Sequence, residues 1–75
     1  MNMTREIAAL KRRIGSRIRH RRDQVHISQE DLADAADMTP TYLSQIENGK
    51  RNPSLEALYR ISTALAIDLA DLLKA

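Results

Sequence analysis

Ser28-Gln29-Glu30-Asp31-Leu32-Ala33-Asp34-Ala35-Ala36-Asp37-Met38-Thr39-Pro40-Thr41-Tyr42-Leu43-Ser44-Gln45-Ile46-Glu47-Asn48-Gly49 decides the fold. The stretch reads as two short amphipathic helices joined by a tight turn. Ser28 is a good N-cap, and Glu30 and Asp31 put negative charge in the first turn, where the helix dipole favours it. Leu32, Ala33 and Ala36 share one face, and Glu30, Asp31 and Asp34 share the other. Asp37-Met38 breaks the pattern. Thr39 then caps a second helix with Pro40 at its first position, where the missing N–H costs nothing. That helix ends at Asn48-Gly49, with glycine available for a left-handed turn.

The second of these helices is divided lengthwise. Leu43, Ile46 and Glu47 fall on one side. Thr41, Ser44, Gln45 and Asn48 fall on the other, spaced i, i+3, i+4, i+7. A merely solvated face would more often carry Lys and Glu. Short uncharged donors and acceptors suit a face that must lie against base edges in a DNA groove.

A chain of 75 residues makes one domain. Cysteine is absent, which excludes disulfides and thiolate metal sites. There is no run of about 18 apolar residues and no hydrophobic N-terminal segment, so a soluble cytoplasmic protein is expected, with no membrane partner. Tyr42 and Tyr59 are the only aromatic residues, leaving Leu, Ile and Ala to build a core, which suits an all-α bundle. Charge is polarised along the chain. Residues 1–27 carry eight basic against two acidic residues, a net +6, and residues 28–75 carry four against eight, a net −4. Such a chain can lay one face on a polyanion.

Ile7, Leu10, Ile14 and Ile18 form a helical stripe over residues 1–26, with Asn2 or Thr4 as cap. Arginines fill most of the remaining surface. Arg5, Lys11 and Arg12 admit equally a solvated basic face. A membrane-surface helix is disfavoured, because the core needs the apolar stripe and no Trp or Phe anchors it. After Gly49, Lys50-Arg51-Asn52-Pro53 makes a basic turn suited to phosphate. Ser54 caps a fourth helix whose buried stripe is expected to be Leu55, Leu58, Ile61 and Leu65, ending near Ala66. Asp68 caps a short fifth helix with Leu69, Leu72 and Leu73 on its apolar face.

No catalytic constellation emerges. Gly-rich phosphate loops and a Gly-x-Ser-x-Gly nucleophile are missing, and the dispersed acids are explained by caps. His20 and His26 are six apart, unlike a helical zinc pair. Neither an enzyme, a metal, a cofactor nor a small-molecule ligand is expected.

Together, Ile18-Arg19…Arg22, Ser28 to Ala33 and Met38 to Leu55 resemble the xenobiotic-response-element family, the Cro- and phage-repressor-like helix-turn-helix proteins. The resemblance covers about residues 14–73. It implies a compact five-helix domain over 14–75, with 1–13 a basic extension of helix one. The segment Thr41-Tyr42-Leu43-Ser44 and the chain length also look like the small controller proteins of restriction–modification systems.

The family places helix three in the major groove and helix two across the backbone. Position by position, the resemblance puts Thr39, Pro40, Thr41, Tyr42, Ser44 and Gln45 at bases. Ser28, Gln29, Asn48, Lys50, Arg51 and Asn52 fall at phosphates, Arg51 also reaching towards the minor groove. Arg22 and Glu47 would form a partly buried ion pair. Asp37 and His26 stand where glycines are usual, and both residue types tolerate positive φ. Pro40 removes a long polar side chain from a base-reading position, which shifts specificity to Thr41, Tyr42, Gln45, Arg51 and DNA shape.

Double-stranded DNA is thus the expected partner. A single domain reads few base pairs, so a homodimer through Leu69, Leu72 and Leu73 is expected, its recognition helices about 34 Å apart on a pseudo-palindromic operator. The rival readings are an antitoxin-type protein-interaction module and a non-specific nucleoid or RNA binder.

Overall fold

The computed structural model describes residues 2–74. Its elements are α1 (Met3–Gln24), α2 (Gln29–Ala35), α3 (Pro40–Glu47), α4 (Leu55–Ala64) and α5 (Leu69–Leu73). Among the described residues there is no strand. None of these helices is long and apolar enough to cross a membrane.

Side-chain caps start the helices. Asn2 Oδ1, Ser28 Oγ, Thr39 Oγ1 and Ser54 Oγ accept from the backbone N–H three residues on, at 3.0–3.1 Å. At α5, the Asp71 carboxylate reaches back to accept from the Asp68 N–H at 3.2 Å.

Each of α1 to α4 ends in a residue at positive φ: His26, Asp37, Gly49 and Ala66, at 55–70°. The next N–H in each case closes a six-residue ring onto a carbonyl of the last turn. The four bonds are Ile27 to Arg22, Met38 to Ala33, Lys50 to Gln45 and Ile67 to Ser62, at 2.9–3.1 Å. Ile27, Met38 and Ile67 then fold back onto the core. Lys50 stays exposed.

Alanine is a poor occupant of the left-handed region. Glycine at Ala66 would relieve about 1–2 kcal/mol of backbone strain, against about 0.4–1 kcal/mol for a freer unfolded chain. Ala66→Gly is therefore expected to stabilise the domain by about 0.5–1 kcal/mol, seen as a rise of roughly 2–8 °C in the thermal midpoint. A lowered midpoint would show that the turn carries no strain.

The core is built from Ile14 and Ile18 of α1, Leu32 and Ala33 of α2, Ala36, Leu43 and Ile46 of α3, Leu58, Ile61 and Leu65, and Leu72 of α5. The helix periods identify most of these side chains, with three corrections. Ile7 is 46% exposed, because α1 runs beyond the elements that would cover it. Leu55 is 67% exposed although its spacing puts it beside Leu58, because it is the first residue of α4, at the open end of the buried stripe. Leu72 is fully buried within its own chain, so it cannot belong to a dimer face.

α1 is the strut of the molecule, packed along both α3 and α5. Three arginines of its C-terminal half bond the carbonyls at the ends of other helices. Arg17 donates to the carbonyls of Leu72 and Lys74, Arg21 to Leu65 at 3.1 Å, and Arg19 to Glu47 at 3.3 Å. A cation at the negative end of a helix dipole also satisfies carbonyls that have no intrahelical partner. Half of the basic charge before residue 28 thus holds the bundle together and is not part of a free polyanion-binding surface. Gly15 lets α1 lie directly on the last carbonyls of α3, a close approach that any side chain there would obstruct.

Candidate nucleic-acid interface

The turn Ala36–Thr39 joins α2 to α3, and both helices pack on the same core residues. Leu43, Ile46 and Glu47 point inward. That leaves the opposite side of α3 outside: Thr39, Pro40, Thr41 and Asn48 are exposed, and Ser44 and Gln45 are half-buried. No charged side chain stands among them. Asn48 Nδ2 donates to the Ser44 carbonyl at 2.9 Å and lies 3.4 Å from its hydroxyl, so these two side chains are ordered together. The Gln45 amide oxygen is turned inward and has no hydrogen-bond partner among the described residues.

Tyr42 lies at the edge of this row, half-buried against the core. The Arg51 guanidinium sits over its ring, 5.2 Å from the centroid. A cation–π contact of this kind is worth about 0.5–1 kcal/mol at an exposed site. It ties the turn after α3 to the helix and presents a positive charge beside the polar row. Lys50 and Asn52 complete an exposed turn. Lys50 occupies the position that at the ends of α1, α2 and α4 is filled by an apolar residue packed on the core.

Beneath the row, Glu47 is the one buried carboxylate among the described residues. Arg22 grips it with two bonds, Nε to Oε2 at 2.9 Å and Nη2 to Oε1 at 3.1 Å, and gives Nη1 to the Ile27 carbonyl at 3.2 Å. The bond to Glu47 raises the Arg22 guanidinium above its ordinary value, against the opposing pull of desolvation and with help from the charges of Glu47 and Asp23. A raised value means that this stabilisation is fully present below the ordinary guanidinium range. It is lost only as pH climbs past it, so Arg22 brings no pH dependence near neutrality.

Gln29 Nε2 donates to Glu47 Oε1 at 3.3 Å. Its amide N–H therefore faces the ion pair, and the start of α2 is fastened to the end of α3. The Ser28 hydroxyl accepts its cap bond from Asp31. The sequence carries no local sign of the Gln29 bond, because its partner lies eighteen residues away. Nor does it mark Arg12, whose backbone and stem pass against Gly49.

Elsewhere, an open cleft of about 300 Å³ lies between the end of α2 and α4, lined by Ala35, Ala36, Tyr59, Thr63 and Ala64 among others, and includes no residue of α3. No group of three or more His, Cys, Asp or Glu among the described residues could hold a metal.

A helix-turn-helix family model matches residues 18–72. The control protein C.MunI of Mycoplasma sp is 44% identical over 64 residues, spanning 84% of this chain and 86% of that one. Among solved structures, the restriction-modification controller protein C.AhdI from Aeromonas hydrophila superposes with a TM-score of 0.83 at 34% identity, covering 85% of this chain and 97% of that chain. The P22 c2 repressor, solved in complex with a synthetic operator, gives 0.76 at 34% identity, covering 81% and 92%.

Proposed function

This chain belongs to the Cro- and phage-repressor-like helix-turn-helix family of DNA-binding regulators, and from that premise we propose that it controls transcription by binding a pseudo-palindromic operator as a homodimer. α3 enters the major groove, with Thr39, Pro40, Thr41, Tyr42, Ser44 and Gln45 at base edges. Ser28, Gln29, Asn48, Lys50 and Asn52 lie along phosphates, and Arg51 reaches a phosphate or the adjacent minor groove. The observation that carries this reading is the uncharged row on α3 beside an exposed basic turn. A helix end whose closing residue is a solvated lysine, where its sister turns bury an apolar one, is shaped for an outside partner. Gln29 Nε2 is held by Glu47, so α2 offers a phosphate its first backbone N–H groups and the Ser28 hydroxyl proton.

With Leu72 in the core, the dimer face must draw on other apolar surface. Leu55 and Tyr59, one turn apart on α4 and 67% and 61% exposed, supply it together with Leu69 and Leu73 of α5. A controller-type role, as in C.MunI and C.AhdI, fits a chain in which DNA reading and self-association share one small domain.

Selecting bound duplexes from a random pool tests the proposal. The expected result is one consensus with two-fold symmetry, occupied with a single steep dependence on protein concentration. Thr41→Ala and Gln45→Ala are then expected to relax preference at particular base positions, costing about 1–3 kcal/mol at each. Lys50→Ala is expected to weaken every site alike and to lower the salt dependence by about one per protomer. A monomer bound tightly to one half-site would overturn the dimer, and a pool that yields no consensus would overturn the regulator.

A further inference from the structure

The basic N-terminal half of α1 is absorbed neither by the core nor by the interface on α3. Its orientation is fixed by contacts further along the same helix. Arg19 bonds the Glu47 carbonyl, the Cα of Gly15 abuts the carbonyls of Ile46 and Glu47, and Arg12 lies against Gly49. Stepping back from Arg19 through Gly15 and Arg12 in strides of four and three leads to Ala8 and Arg5. These positions share one face of α1, and Lys11 borders it. The face that touches the end of α3 therefore continues as Arg12 and Arg5, with Lys11 on its flank. From Gly15 to Arg5 the helix rises about 15 Å.

This face is built unlike a solvated one. Arg5 and Arg12 are exposed and Lys11 half-exposed. Among the described residues, none of the three has a carboxylate within ion-pair distance. The one acid of this half of the helix, Glu6, sits about a quarter-turn round from Arg5, on the flank opposite Lys11 and further from the middle of the face. Surface helices ordinarily interleave charges of opposite sign at i, i+4, and clustered like charges cost stability. Arg17, Arg19, Arg21 and Arg22, later in α1, each have carbonyl or carboxylate partners within the chain. Only the cations before Gly15 on this face are left for something outside, and the row starts where Arg12 meets the Gly49-Lys50-Arg51 turn.

We propose that Arg5, Lys11 and Arg12 form a second phosphate-binding row for duplex DNA, extending the contact of the Lys50-Arg51 turn along the backbone. The inference rests on the reading of α3 as a DNA-binding helix. It adds a site that reads no bases, since long flexible cations give register and affinity without sequence information. A duplex offers one charge per strand about every 3.4 Å of rise, so a row that rises about 10 Å from Arg12 to Arg5 can meet several phosphates.

The test is a salt titration of binding to the selected duplex by fluorescence anisotropy. The proteins are the wild type, Arg5→Gln, the triple variant Arg5→Gln/Lys11→Gln/Arg12→Gln, Lys50→Ala, and Lys74→Gln as a charge control at the far end of the chain. Each lost phosphate contact is expected to reduce the slope of log K against log salt by about 0.9 per protomer, about 2.7 for the triple variant, with the selected consensus unchanged. Lys74→Gln is expected to keep the wild-type slope. The row is overturned if Arg5→Gln and the triple variant keep the wild-type slope while Lys50→Ala lowers it, which leaves the α3 interface standing. It is equally overturned if Lys74→Gln lowers the slope as much as Arg5→Gln, since net charge alone then accounts for the effect. A wild type that binds no duplex removes the row and the regulator together. Should the triple variant lose its helical circular dichroism, Arg5→Gln, at an exposed position, decides alone.

Discussion

Glu47→Ala is expected to destabilise the domain by about 3 kcal/mol, the low end of the range for stripping one partner from a buried ion pair. The low end applies because Arg22 keeps 15% of its side chain in solvent and retains its bond to the Ile27 carbonyl. The loss would still be severe. A chain of 75 residues has about 4–11 kcal/mol of stability in all. The thermal midpoint should fall by roughly 12–24 °C. Most of this cost comes from the group left behind. Arg22 would keep its charge in a site that no longer answers it, and Gln29 would lose the acceptor that fastens α2 to α3. The pair's own net worth is a separate quantity, and a double-mutant cycle isolates it. Arg22→Met/Glu47→Leu removes both charges and fills the space with apolar atoms, and is expected to lie within about 1 kcal/mol of the wild type. Urea titration of the wild type, Arg22→Met, Glu47→Leu and the double variant, with Glu47→Ala alongside, checks this. If the double variant is as unstable as Glu47→Ala, the ion pair itself is a main source of stability.

The same pair shows where sequence was a good guide. Ser28, Thr39 and Ser54 cap their helices because local spacing dictates it, and His26 and Asp37 take positive φ as their residue types permit. The sidedness of α3 was likewise legible, since a period of 3.6 residues sorts Leu43 and Ile46 from Thr41 and Asn48. Periodicity gives the direction of a side chain but not the depth of its cover. Ile7 and Leu55 look like core and are exposed, while Leu72 looks like spare surface and is buried. The end of α4 near Ala66 was legible, but its left-handed backbone was not: alanine favours helix, so nothing local announces such a turn. The arginines of α1 were least legible. Arg17, Arg19 and Arg21 find carbonyls between 28 and 57 residues away, and no pattern within α1 encodes them.

Gly15→Ala separates local propensity from packing, because the two predict opposite signs. Within a helix, alanine is favoured over glycine by about 1 kcal/mol, so α1 taken alone would gain. Packed in the domain, the added Cβ would stand 2.5 Å from the carbonyl oxygens of both Ile46 and Glu47, and 2.8 Å from the Glu47 carbonyl carbon. All three are backbone atoms near the end of α3, so no side chain can swing aside to make room. Relief requires the helices to part, which would loosen the bond from Arg19 to the Glu47 carbonyl and disturb the grip of Arg22 on the same residue. Overpacking typically costs about 1–3 kcal/mol and occasionally more, and here the displaced element is a whole helix. A net destabilisation of about 2 kcal/mol is expected after the propensity gain is subtracted. Because α3 moves, DNA affinity should fall even at temperatures where the variant remains folded. Neither circular dichroism melting nor operator binding should then track the helix content of α1. A variant that melts higher than the wild type and binds equally well would mean that α1 does not seat α3 through Gly15.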